Sequence, residues 1–217
     1  MPMTAVEDQH PEARQGQKPA QIMSAAKTLF TSQGFGATSM DAIARVANVS
    51  KATLYAHFSG KEELFAAIVS HECRTQQSLL WAPGVEEKEV DDALREIGRN
   101  FLDLLLSAPA VAIFRVVVAE STRFPDLGRI FFNSGPNQMR QSLSCYLAKT
   151  AARGRLDIAD PWRAAEHFIG MLQTPVHFSV LFGVKDHFAR DELDRNVSDA
   201  VEAFLRAYLP RDRMEKS

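Results

Sequence analysis

Cysteine is almost missing: Cys73 and Cys145 are the two in 217 residues, far apart and in helical contexts. A disulfide framework or a zinc site needs more, so both read as buried free thiols of a cytoplasmic protein. Long apolar runs are missing too. The longest, Ala108 to Ala119, is interrupted by Arg115 and is too short to span a bilayer, which excludes a membrane partner. The polar stretch Met1 to Gln17 lacks the apolar centre of a signal peptide and reads as a disordered arm. No segment shows strand alternation, and there is no repeat or low-complexity tract. Nor is there a glycine-rich phosphate loop, a nucleophile–base pair or a metal-spaced His/Cys cluster. His167 and His177, ten apart, do not share a helical face. These absences argue against an enzyme, a metal and a cofactor, and leave an all-α protein.

Net charge is also small, at −2, so no basic coat surrounds the whole chain. Its distribution is uneven. Between positions 14 and 61 six bases (Arg14, Lys18, Lys27, Arg45, Lys51 and Lys61) face the single acid Asp41, a local charge of +5, and the remainder is −7. A basic head on an acidic body fits a reader of double-stranded DNA with a separate regulatory domain.

The head has a legible helical pattern. Ile22, Ala25, Ala26, Leu29 and Phe30 give one buried face between Lys18 and Gln33, ended by Gly34 in a left-handed cap. Thr38 or Ser39 caps a helix from about Met40 to Ala47 that buries Met40, Ile43, Ala44 and Ala47. Asn48 tolerates the left-handed turn, and Ser50 caps Lys51 to Phe58, burying Leu54 and Phe58. Ser59 begins a capping box closed by Glu62, and a long helix runs to about Leu80. Downstream, helices are expected at Glu87–Ser107, Ala110–Arg123 (buried, because almost uniformly apolar), Asp126–Phe132 and Asn137–Ala152. Two more follow: Pro161–Phe182, capped by Asp160 and kinked at Pro175, and Arg190–Tyr208.

Two short helices joined by a tight turn over 39–58, supported by a third, form a helix-turn-helix. The second helix must keep its first turn free for base edges. Lys51, Ala52 and Thr53 supply a long donor, a methyl and a hydroxyl there. Tyr55 and His57 carry ring bodies for packing and polar tips for phosphate. Thr38 and Ser39 offer hydroxyls and free N–H groups at a helix start, Lys61 a charge at the next helix, and Arg45 a reach to base or phosphate. Ser50 acts first as a cap. Gly34-Phe35, the segments TSMDAIA (38–44) and VSKATLYAHF (49–58), and KEEL (61–64) together resemble the DNA-binding domain of the TetR family of bacterial transcription regulators. The resemblance covers about Lys18 to Ile68 and departs from the family at Asn48, where glycine is common. It implies that Tyr55 and His57 contact the DNA backbone.

The same resemblance implies an all-α chain of about nine or ten helices: arm 1–17, DNA-binding domain 18–68, and effector-binding and dimerisation domain 69–217. FRVVVAESTRFPDL (114–127), with Gly154-Arg-Leu156 and the segment 161–165, resembles the AefR-like subgroup. A homodimer follows from two-fold operators, whose half-sites lie about 34–36 Å apart or multiples of that. Its interface is expected on the apolar faces of the last two helices, at Phe168, Leu172, Val176, Val180, Val197, Val201, Phe204 and Leu205. A small-molecule pocket is expected among Phe101, Leu105, Phe114, Val117, Val118, Phe131, Met139, Met171, Thr174, His177 and Phe178, for an apolar or aromatic effector. Arg115 and Glu120 would pair with each other or with neighbours. The expected protein is a ligand-responsive repressor; an activator of the same fold and, remotely, a helical-bundle enzyme or interaction protein stay open.

Overall fold

The computed structural model describes residues 11–81, 84–174 and 176–210, with the backbone alone for 11–17 and 73–80. Among the described residues there are eleven α-helices, one 3-10 turn and no strand. They are α1 (Pro11–Gln33), α2 (Met40–Val46), α3 (Lys51–His57), α4 (Lys61–Leu80), α5 (Val90–Leu105) and α6 (Ala108–Glu120), then α7 (Pro125–Ser134), α8 (Pro136–Ala152), α9 (Pro161–Gln173), α10 (Val176–Leu181) and α11 (Arg190–Tyr208). Helix α1 starts seven residues before the expected Lys18. Residues 11–17 carry no apolar stripe to reveal it, so that part of the expected arm is helical; residues 1–10 lie outside the described residues.

Local chemistry sets most helix ends. Ser39 Oγ accepts from Ala42 N, Ser50 Oγ from Thr53 N, and Asp160 Oδ1 from Trp162 N and Arg163 N. The box at α4 closes on Glu63 rather than Glu62: Glu63 Oε2 accepts from both Ser59 N (2.7 Å) and Ser59 Oγ (2.6 Å). Helix α4 starts at Lys61, so Ser59 lies one residue outside the cap and needs an acceptor one residue further on. Ser107 caps α6 and Pro109 sits in its first turn, where the missing N–H is tolerated, so α6 begins before the proline instead of after it. The expected single helix 161–182 is interrupted. Thr174 is extended (φ −96°, ψ 129°), as the residue before a proline prefers, and separates α9 from α10; Pro175 itself lies outside the described residues.

Two apolar clusters hold the chain together. One joins α5, α8, α9 and α11 around Leu94, Leu102, Leu147, Phe168 and Phe204. The other gathers α1 to α4 around Phe35, Ile43, Leu54 and Phe65, and it also takes in Ile113, Val116 and Val117 of α6 and Leu127 of α7. The core of the head therefore continues into the body.

Three expectations change here. Helix α6 is not buried all round: Val118 is 62% exposed and Arg115 faces out, because only one side meets the core. Cys145 is an exposed thiol on the outward face of α8, between the buried Leu143 and Leu147; the side chain of Cys73 lies outside the described residues. The expected dimer residues Phe168, Leu172, Val176, Val180, Val197, Val201 and Phe204 are all buried within one chain, and Leu205 is partly buried. Helix α5 covers the residues of this set on α9 and α11, where a second subunit was expected. At Gly98 an added Cβ would lie 3.1 Å from Val197 and 3.2 Å from Leu172, so glycine lets α9 and α11 close on α5 without displacing those side chains.

Candidate nucleic-acid interface and interior cavity

The turn between α2 and α3 is fixed by its own hydrogen bonds. Asn48 has φ +52°, its N–H reaches Arg45 O (3.2 Å), and Val49 N reaches Ala44 O (3.0 Å). That pair of bonds is a Schellman closure with asparagine in the left-handed position. Ile43, Ala44, Ala47 and Leu54 face inward. The opposite sides of α2 and α3 leave Ser39, Arg45, Ser50, Lys51, Ala52, Tyr55 and His57 exposed, with Thr53 half-exposed.

Lys51 Nζ lies 2.6 Å from Asp41 Oδ2, across the two helices of the motif. The hydrogen bond and charge of Asp41 hold the ammonium above its ordinary pKa. Both groups are exposed, so the pair is weak in water and opens readily for a stronger anion. Ser50 Oγ and Thr53 Oγ1 share a 2.8 Å hydrogen bond, which orients the Thr53 methyl and hydroxyl.

Two of the ten expected contact residues are committed elsewhere. Thr38 is 2% exposed, and its hydroxyl donates to Gly34 O at 2.8 Å, closing the loop between α1 and α2. Its side chain is therefore a tie within the head, not a surface group. Lys61 is half-buried: its ammonium donates to Phe35 O (2.8 Å) and Gly36 O (3.4 Å) and sits 4.7 Å above the Phe35 ring. With these contacts it staples the loop 34–36 to α4.

That same loop meets the body. Glu120, at the end of α6, accepts from Gly36 N at 3.2 Å, and Phe124 packs edge-on against Phe35 (5.2 Å, 74°). Gly34 has φ +87°, and a Cβ there would lie 2.8 Å from Glu120 Oε1. Glu120 and Arg115 do not pair with each other; Arg115 donates to Val180 O (2.7 Å) and Leu181 O (3.2 Å) at the end of α10.

Behind this contact lies a cavity of about 470 Å³, walled by α4 to α9 and by His177 on α10. Seven of the eleven expected residues line it: Phe101, Leu105, Phe114, Val117, Phe131, Met139 and His177. The other four do not. Val118 and Phe178 point to solvent, Thr174 is exposed, and Met171 packs on the body core. Unexpected wall residues include Val69 and Glu72 of α4, Ile113 of α6, Phe132 of α7, Arg140 of α8, and Ile169 and Gln173 of α9. Only the spacing of Ile169 and Gln173 on one helical face was available beforehand; nothing local marks Glu72 or Arg140 as facing inward.

His177 is 1% exposed, and burial pushes its pKa below the ordinary histidine value, so it is neutral. Among the described residues no group of three or more His, Cys, Asp or Glu side chains could hold a metal ion. No single described helix is long and apolar enough to cross a membrane.

Comparison with known proteins converges on this geometry. Residues 22–68 match the family described as bacterial regulatory proteins, tetR family, and residues 92–210 match the AefR-like transcriptional repressor C-terminal domain. The flavonoid-responsive regulator FrrA is similar in structure, with a TM-score of 0.80 and 36% identity over 90% of this chain and 99% of that one. A TetR-family regulator from Mesorhizobium loti also gives a TM-score of 0.80, with 30% identity over 91% of this chain and 99% of that one. The HTH-type regulator YhgD of Bacillus subtilis (strain 168) is 51% identical over 47 residues, which span 22% of this chain and 25% of that protein.

Proposed function

Since this chain belongs to the TetR family of DNA-binding transcriptional regulators, we propose that it is a homodimeric repressor released from its operator by an apolar, planar aromatic effector. Residues 18–68 read DNA, and the body from 69 onward binds the effector and the second subunit. Lys51, Ala52 and Thr53 read base edges in the major groove, while Ser39, Arg45, Tyr55 and His57 hold phosphates. Two copies place two such helices on a pseudo-palindrome.

The observation that carries the effector reading is the position of the cavity. Its walls on α4 and α6 carry Val69, Ile113 and Val117, which belong to the core of the head, and Phe131 of its α7 wall packs against that core. A ligand that fits only one spacing of those helices has different affinities for two positions of the head, and that difference is what drives release. The aromatic wall of Phe101, Phe114 and Phe131 supports a flat apolar ligand, and the flavonoid response named for FrrA supports the same class. Repression is favoured over activation because the matched body is described as that of a repressor.

The dimer contact lies on the apolar surface that one chain leaves open. Phe178 of α10 and Phe182, just past its end, stack in parallel (6.0 Å, 11°), with Val184 79% exposed beyond them. Arg115 ties α6, which carries the exposed Val118, to the same end of α10.

Selection of bound sequences from random DNA, followed by competition with flavanones, tests the whole reading. The expected outcome is a two-fold-symmetric site from which a micromolar-range flavanone releases the protein. Asymmetric or sequence-blind selection would refute the operator reading, and release by none of a panel of aromatic compounds would refute the effector.

A further inference from the structure

The cavity has few polar groups, and its charged ones already have countercharges. Glu72 is ion-paired with Lys27 of α1 at 2.8 Å. Arg140 faces Glu166 at 3.6 Å, and its guanidinium lies over the rings of Phe132 and Trp162 at 5.5 and 5.3 Å. A charged ligand entering this space would lose water and find no unpaired opposite charge. The site suits a neutral molecule.

His177 is the exception among the polar wall groups. Its Nδ1 lies 2.9 Å from the side-chain nitrogen of Gln173. An amide NH₂ can only donate, so Nδ1 accepts, and the proton of the neutral ring sits on Nε2. That Nε2–H is buried and has no hydrogen-bond partner among the described residues. The imidazole ring packs edge-to-face with Phe114 at 4.9 Å and 86°, and both residues line the cavity.

We propose that the effector is an uncharged aromatic carbonyl compound whose carbonyl oxygen accepts a hydrogen bond from His177 Nε2, with Gln173 as the positioning residue that holds the donating tautomer. This rests on the planar-effector reading above and adds the atom that anchors the ligand. A carbonyl oxygen satisfies the orphaned donor and brings no hydrogen of its own, so it leaves no new unmatched donor against an apolar wall. Phe101, Phe114 and Phe131 then hold the rings.

Flavanone and flavan share one ring skeleton and differ by the ring carbonyl. Titration of the full chain with each, followed by calorimetry, should give flavanone an affinity about tenfold higher, the worth of one satisfied buried donor. His177→Phe should abolish the preference for flavanone over flavan, whatever the new wall does to the affinity for flavan itself. Gln173→Leu should shrink that preference several-fold, because the imidazole is then free to flip its proton. Equal affinities in the wild type overturn the proposal, and this comparison decides even where a variant does not fold. Equal losses for both ligands in His177→Phe also overturn it, since they would show packing alone. Binding of neither compound refutes the planar-effector reading, and the anchor falls with it.

Discussion

Replacing Lys61 with methionine separates two roles that the same residue could have. Methionine keeps much of the apolar stem and removes the charge. In the structure the ammonium makes one short hydrogen bond, to Phe35 O at 2.8 Å, and a longer one, to Gly36 O at 3.4 Å. A hydrogen bond from a charged donor contributes about 1.5–3 kcal/mol, and the lower end applies because Lys61 is half-exposed. The cation over Phe35 at 4.7 Å adds about 0.5 kcal/mol at such a site. The variant should therefore lose about 2 kcal/mol, which for a chain of this length lowers the melting midpoint by about 4–8 °C. Measured DNA affinity against salt gives the second arm. A phosphate ligand contributes about 0.9 to the slope of log K on log salt; a staple contributes nothing. The expected result is a lower melting midpoint with an unchanged slope. An unchanged midpoint with a slope reduced by about one would refute the reasoning and return Lys61 to the DNA surface.

Three further outcomes follow from the geometry. Asn48→Ala should destabilise the head by about 1 kcal/mol because alanine resists φ +52°, whereas Asn48→Gly should be neutral or better; denaturant unfolding that ranks them the other way would refute the Schellman turn. Phe182→Asp should convert the dimer to a folded monomer in sedimentation without altering the far-ultraviolet spectrum, and a dimer that survives would move the interface away from the Phe178–Phe182 pair. Neutral His177 gives a pH dependence with a definite sign. Its folded pKa is depressed, so unfolding takes up a proton below about pH 6.5 and stability falls as the pH drops through that value. Melting midpoints of wild type and His177→Phe should diverge below that pH and run parallel above it; parallel curves throughout would contradict a buried neutral ring.

What the chain discloses in one dimension depends on how far each interaction reaches. Ser39, Ser50 and Asp160 act on N–H groups two or three residues away, and Asn48 answers to its own backbone, so these caps and the turn were legible. Phe101, Phe114 and Phe131 of the cavity were legible because apolar residues on amphipathic helices must face inward, whereas Phe132 was missed. The direction of burial was not. An apolar stripe on α11 says that a face is covered, but not whether α5 of the same chain or a second copy covers it, and here α5 does. Contacts across 84 residues (Gly36 to Glu120) or 45 (Lys27 to Glu72) leave no local trace. Nothing in the polarity of Gln173 or Arg140 marks them as cavity residues, for the same reason.

The continuous core has a consequence for anyone who would exchange parts. Because Phe35 rests on Phe124, and Ile113, Val116, Val117 and Leu127 complete the packing of the first four helices, the reading head is not a cassette. Grafted onto another relative's body, it would arrive with an open seam unless residues 113–127 travelled with it. A chimera meant to give this body a new DNA sequence to read should therefore swap the exposed residues of α2 and α3 alone.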